Sequence, residues 1–266
     1  MFTHKLMKNK ISIDRWFFGL NFKPNARLRI FAFPYAGGDI NAFYGWQAWL
    51  PHDIELVSVQ LPGRGKRRED VMPECMDVLV DGLLKAINEI NDKPFVFFGY
   101  SMGGLISYAA TQSMNEHGMQ GPQLFCVAAC NPPHLQKSDW CSMSDKALLR
   151  QLTNADKYFA NMMPENCVSN NLPLIKNDLA FCQRYVKNNR FSNGALVCPI
   201  STFCGVDDTI SSADSMVKWR RYTSASSISH RLNGGHFFMF DRHSAHFPRL
   251  LLRDLQGIHK DLGMVC

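Results

Sequence analysis

The sequence predicts an α/β fold built on a mostly parallel sheet flanked by helices. Three observations predict it. Strand-like and helix-like runs alternate along most of the chain, the pattern that gives parallel strands joined by helical crossovers. One apolar run, Phe95–Phe98, passes straight into Gly99-Tyr100-Ser101-Met102-Gly103-Gly104 and then into a helical pattern. The length of 266 residues, 46% of them hydrophobic, suits one domain over residues 1–266 with room for an insertion.

The strand-like runs are Leu28–Phe33, Ile54–Gln60, Phe95–Phe98, Leu124–Ala129, Cys198–Cys204 and Ser227–Leu232. Most are short and apolar, and Ser227–Leu232 instead alternates polar and apolar residues. Helix-like runs lie at Ala42–Leu50, Glu74–Ile90, Met102–Glu116, Ala213–Arg221 and His246–Leu262. Residues 131–194 break the alternation. This stretch opens with Asn131-Pro132-Pro133 and carries helix-like patches at Ser144–Leu152, Tyr158–Met163 and Leu172–Val186. It reads as a helical insertion placed to cover the ends of the strands. Its apolar residues, Met162 and Met163 among them, either pack that small subdomain or line a channel for an apolar acyl chain.

The Gly-x-Ser-x-Gly run describes a nucleophile elbow. Glycines two before and two after Ser101 relieve crowding at a sharp strand-to-helix turn. The turn holds Oγ clear of the sheet at a helix N-terminus, where the N–H of Met102 can meet an oxyanion. A second oxyanion donor belongs after the first core strand. There the chain reads Pro34-Tyr35-Ala36-Gly37-Gly38, with Ala36 N–H as first choice and Tyr35 next.

A serine nucleophile needs a base, and the base needs an orienting carboxylate. His236 stands in Leu232-Asn233-Gly234-Gly235-His236-Phe237-Phe238 after a strand-like run. The paired glycines allow a tight loop that brings an imidazole over the sheet edge, and the phenylalanines anchor it. His230 alternates within a strand pattern and reads as a strand-face histidine. The carboxylate belongs just past a strand end, in Gly205-Val206-Asp207-Asp208-Thr209. Consecutive residues point apart, so one of Asp207 and Asp208 faces His236, and spacing does not choose between them.

Composition excludes several other classes. The formal net charge is +6 with 20% charged residues, well short of a nucleic-acid footprint. The densest basic run, Arg64, Lys66, Arg67 and Arg68, reads as a solvated loop, with a docking patch for an acidic partner as the alternative. The nine cysteines form no Cys-x-x-Cys pair, and several, such as Cys126, Cys130 and Cys204, lie in apolar strand-like runs and read as small buried hydrophobes of a reducing compartment. No apolar run reaches transmembrane length. Asp14 and Arg15 interrupt the short apolar stretch near the N-terminus, which argues against a secretory signal. A cytoplasmic enzyme is the expectation.

These motifs, in this order, resemble the type II thioesterases that accompany nonribosomal peptide and polyketide synthases. Phe33-Pro34-Tyr35-Ala36-Gly37-Gly38, Leu61-Pro62-Gly63-Arg64, the elbow, Gly205-Val206-Asp207-Asp208 and Gly234-Gly235-His236-Phe237-Phe238 carry the resemblance. It runs from about Leu28 to the final helix. It implies an α/β-hydrolase fold with residues 131–194 as a lid. It places the catalytic serine on Ser101, the base on His236, the carboxylate on Asp208, and the oxyanion donors on Ala36 and Met102. The segment ending at Asp178 is similar to a lid segment that usually reads Arg-Ala-Asp, from which Lys176 and Asn177 depart. The implied substrate is an acyl or aminoacyl thioester on the 4′-phosphopantetheine arm of an acyl or peptidyl carrier domain. The implied role is editing of stalled synthases. Tyr35, Met162, Met163 and Phe237 are the expected acyl-chain contacts. No metal, cofactor, nucleic acid or membrane is implied, and a monomer is expected. The medium-chain acyl-carrier thioesterases of fatty acid synthesis share this chemistry. A carboxylesterase or peptidase would share the triad, and a non-catalytic partner of a synthase would not need it.

Overall fold

The computed structural model describes residues 13–17, 23–136, 140–156, 165–188, 191, 196–240 and 246–261. Six parallel strands form one sheet: β1 (Leu28–Phe33), β2 (Ile54–Ser58), β3 (Phe95–Tyr100), β4 (Phe125–Ala128), β5 (Ile200–Gly205) and β6 (Ser227–Leu232). Their order is β2-β1-β3-β4-β5-β6. The chain leaves β1 toward one edge and returns to pair β3 on the other side, in register Arg29↔Phe95 through Phe33↔Gly99. The order therefore reverses between β1 and β3. A crevice opens there at the carboxyl ends of the strands, where parallel sheets hold their ligands.

Both faces of the sheet are covered, so the central strands are buried throughout. Side-chain alternation divides the core in two. Phe31, Phe33, Phe95, Phe97 and Phe125 pack toward helices α1 (Met76–Asn88) and α2 (Met102–Glu116). Ile30, Ala32, Val96, Phe98 and Phe203 face a 3₁₀ segment (Ile40–Ala48) and the last helix. α1 buries Met76, Leu79, Val80, Leu83 and Ile87, the three-and-four spacing of one helical face.

Between β4 and β5 the described chain holds helices α3 (Asp145–Ala155) and α4 (Glu165–Asn188), with short 3₁₀ turns at Pro133–Leu135 and Trp140–Ser142. Leu148 and Leu152 of α3 and Leu172 and Ile175 of α4 are buried. Lys176 of α4 bonds the Asp145 carboxylate of α3, so the residue that departs from the lid pattern ties the two helices together. The expected helix at Tyr158–Met163 lies outside the described residues. After β5 come α5 (Ala213–Met216), a 3₁₀ segment (Val217–Tyr222), β6 and α6 (His246–Asp261).

Three readings need correction. Ala42–Leu50 and most of Ala213–Arg221 form 3₁₀ rather than α-helix. Each carries aromatic anchors, Phe43 and Trp46 in one and Trp219 and Tyr222 in the other, and burying them outweighs helical regularity. The basic run at 64–68 is not a solvated loop throughout. Arg64 and Arg67 are buried, while Lys66 and Arg68 are exposed. Arg67 lies 4.2 Å over the Trp16 ring and donates to Asp70 and to Gln60 O.

Candidate active site

Ser101 occupies the turn between β3 and α2 with φ 51° and ψ −116°, a strained conformation for a residue bearing a Cβ. The turn survives because its neighbours are glycines. A Cβ on Gly99 or Gly103 would collide with the Ser107 hydroxyl or the Phe33 carbonyl. Met102 opens α2, so its N–H has no helical partner and lies at the positive end of the helix dipole.

His236 Nε2 lies 3.2 Å from Ser101 Oγ, and Nδ1 lies 2.9 Å from Asp208 Oδ2. Asp208 and His236 are both 4% exposed. The other oxygen of Asp208 accepts the N–H groups of Ile210 (2.8 Å) and Ser211 (2.9 Å). That arrangement fixes the carboxylate and leaves Oδ2 for the imidazole. Nδ1–H donated to Asp208 puts the lone pair of Nε2 toward Ser101. Asp207 is exposed on the opposite side of the chain, and its backbone N–H donates to Gly234 O at 3.0 Å. The two aspartates that spacing leaves equivalent are thus distinct in burial and bonding.

The histidine loop is held from below. The Tyr100 hydroxyl donates to the carbonyl of His236, and the Tyr100 ring packs against those of Phe237, Phe238 and Phe240. Burial raises the Tyr100 phenol well above its ordinary value, so it remains a donor. His230 is a buried strand residue bonded to Asp254 at 2.7 Å and packed on Phe203, away from this cluster.

Ser101 and His236 face a cavity that also takes in Tyr35, Ala36, Gly37 and Met102. It encloses about 1200 Å³ of empty space, counting its open mouth. Leu152 of α3 and Ile175, Leu179 and Val186 of α4 line it, with Trp140 and Leu105. Phe237 lines it and stands 5.3 Å from Tyr35, ring to ring. Met162 and Met163 lie outside the described residues. Cys130 and Cys182 also reach the cavity. Burial pushes Cys130 up to about 12 and Cys182 well above the usual thiol value, so both stay protonated and unreactive at neutral pH.

The sequence reading gave several residues here no role in holding the site. Arg64, Asp156, Asp178 and Tyr100 all bond main chain beside the cluster. Asp178 carried a signal. It falls on the stripe Leu172, Ile175, Leu179, Cys182 of α4, and an acid on an apolar stripe marks a buried partner.

A model of the thioesterase domain family matches residues 28–254. The gramicidin S biosynthesis protein GrsT of Aneurinibacillus migulanus is 29% identical over 232 residues, 86% of this chain and 90% of that protein. The medium-chain S-acyl fatty acid synthase thioesterase of Homo sapiens is 29% identical, over 82% of this chain and 83% of its own. Among solved structures, RedJ, a thioesterase from the prodiginine biosynthetic pathway in Streptomyces coelicolor, superposes with a TM-score of 0.79. That match is 30% identical and covers 89% of this chain and 88% of RedJ.

Proposed function

The chain belongs to the thioesterase family, and from that premise we propose that it releases acyl and aminoacyl groups from the 4′-phosphopantetheine arm of carrier domains, as a type II editing enzyme of a peptide or polyketide synthase. The observation that carries the reading is the continuous bonding from Ser101 through His236 to Asp208 at the wall of an apolar cavity. The likeness to GrsT and RedJ, both named for biosynthetic pathways, supports the synthase setting.

His236 Nε2 takes the Ser101 proton as Oγ attacks the thioester carbonyl carbon. The carbonyl oxygen gains the negative charge, and the N–H groups of Ala36 and Met102 stabilise it, each by about 3 kcal/mol. Asp208 keeps Nδ1 protonated and stabilises the imidazolium. Collapse breaks the carbon–sulfur bond, and His236 returns its proton to the departing thiolate. Water then enters, gives a proton to His236, and attacks the acyl-serine. The second collapse frees the acid and reprotonates Ser101. The acyl chain lies along Tyr35, Phe237 and the α3–α4 wall. Residues 131–194 act as the lid.

The human medium-chain relative and the apolar lining favour a second reading, release of fatty acyl chains from an acyl carrier. One experiment tests both against a plain esterase. Turnover is ranked on carrier proteins loaded with acetyl, aminoacyl and medium-chain acyl groups, with a p-nitrophenyl ester alongside. Carrier-bound short acyl and aminoacyl groups are expected to be released most efficiently. Preference for medium chains would favour the second reading, and higher efficiency on the oxygen ester would overturn the thioesterase role.

A further inference from the structure

Each of the two described insertion helices, α3 through its cap and α4, sends one buried carboxylate to the main chain beside the cluster. Asp178 of α4 is fully buried, and its Oδ2 accepts the N–H of Gly37 at 2.7 Å. The same carboxylate grips Arg64 at both oxygens, Nη2 to Oδ1 at 2.6 Å and Nη1 to Oδ2 at 2.8 Å. Arg64 Nη1 donates as well to Gly38 O, and Nε to Pro62 O, both at 3.0 Å. Asp156, which caps the C-terminal end of α3, is also buried, and its Oδ2 accepts the N–H of Phe237 at 2.6 Å.

Gly37 follows Ala36, and Phe237 follows His236. The peptide between His236 and Phe237 is held at both ends, its carbonyl by the Tyr100 hydroxyl and its N–H by Asp156. The N–H of the Ala36–Gly37 peptide is held by Asp178, and the carbonyl of Gly38 by Arg64. Bonds from backbone N–H to an ionised carboxylate are about twice as strong as neutral ones, so they fix the planes of these peptides. Cohesion alone does not call for them. A buried ion pair holds two elements together no better than an apolar pair of the same volume, but an apolar pair cannot accept an N–H.

We propose that Asp178, with Arg64, and Asp156 are positioning residues that make the oxyanion loop and the histidine loop depend on the seating of α3 and α4. Lifting those helices from the sheet would release Gly37 and Phe237 and disassemble the site from both sides. The inference rests on the assignment of Ser101, His236 and Ala36 above.

The test sets activity against stability. Octanoyl-pantetheine serves as the thioester, so carrier docking plays no part. Four variants are compared with the full chain: Asp178→Asn, the double variant Arg64→Met with Asp178→Leu, Asp156→Leu, and Ser101→Ala. Asp178→Asn keeps an oxygen for Gly37 N–H but strands the Arg64 charge. It should melt lower yet keep more activity than the double variant. The double variant removes both charges and the acceptor together. It should melt above Asp178→Asn, because no charge is left stranded, yet show kcat down at least tenfold and KM within threefold. Asp156→Leu should likewise lose kcat rather than affinity. A double variant with wild-type kcat overturns the inference, even if Asp178→Asn does not fold. So does activity that simply follows melting temperature across the set. Turnover in Ser101→Ala would instead overturn the assignment of the nucleophile beneath it.

Discussion

Gly205 ends β5, directly beneath the histidine loop, and its replacement by alanine separates catalytic geometry from stability. A Cβ built there falls well inside 3.0 Å of the carbonyl oxygens of both Gly234 and Gly235, and 2.9 Å from the Gly234 carbonyl carbon. All three are backbone atoms, so no side chain can rotate away. β5 is a central strand paired on both sides, whereas residues 233–235 form a loop, and the loop yields. Relief takes roughly 1 Å, and Gly235 adjoins His236. A shift of that size stretches the 3.2 Å separation of Nε2 and Oγ beyond hydrogen-bonding range. It also disturbs the Asp207 N–H bond to Gly234 O, next to the orienting aspartate. Misplacement by about 1 Å costs on the order of 10²-fold, or about 2.7 kcal/mol of barrier. Gly205→Ala should therefore lower kcat on a soluble acyl-pantetheine by about 10²-fold, read by thiol release. The matched control is Gly257→Ala in α6, where a Cβ meets nothing within 4 Å. It should leave turnover unchanged and stabilise the fold by up to about 1 kcal/mol. Gly205→Ala with turnover within threefold of wild type and an unchanged melting temperature would refute the reasoning.

Three further outcomes follow from the same geometry. Asp208→Asn should cost three to four orders of magnitude in kcat by favouring the wrong tautomer (about 10⁴-fold at the upper end), while Asp207→Asn stays near wild type; the reverse ranking would reassign the orienter. Burial raises Cys130 and Cys198 to about 12 and Cys204 to about 11, so the folded state keeps protons that the unfolded state loses from about pH 8.5 upward. That stability is complete below the unfolded thiol value and falls by about 1.4 kcal/mol per pH unit for each such group as pH rises toward the folded values; thermal melts that stay flat from pH 8 to 10.5 would contradict it. Tyr100→Phe removes the hydroxyl that holds the His236 carbonyl and should lower kcat by about tenfold, close to the worth of one neutral hydrogen bond, with KM unchanged; a change in KM alone would place Tyr100 in substrate binding instead.

Much of this was written locally in the chain. The strands declared themselves because parallel strands covered on both faces need near-continuous apolar runs. The elbow and the histidine loop were legible because only glycine tolerates the close approaches at positions 99, 103 and 205. The orienting aspartate was not fixed by spacing, since Asp207 and Asp208 differ only once the turn gives one of them two backbone N–H bonds and burial. Arg64 was misread because a basic run looks alike whether its partner is water or a carboxylate 114 residues away. Asp156 stayed hidden at the end of a helix whose partner, Phe237, lies 81 residues on. Long-range pairing of buried charges is the part of the site that local pattern does not encode.

Rapid-quench mass spectrometry of the intact protein during turnover tests the central claim most directly. The proposed mechanism predicts the acyl mass on the peptide containing Ser101, with a fast burst of free thiol before the steady state, and neither in Ser101→Ala. Acyl groups found on Cys130 or Cys182, the two thiols of the same cavity, or undiminished release by Ser101→Ala, would contradict it.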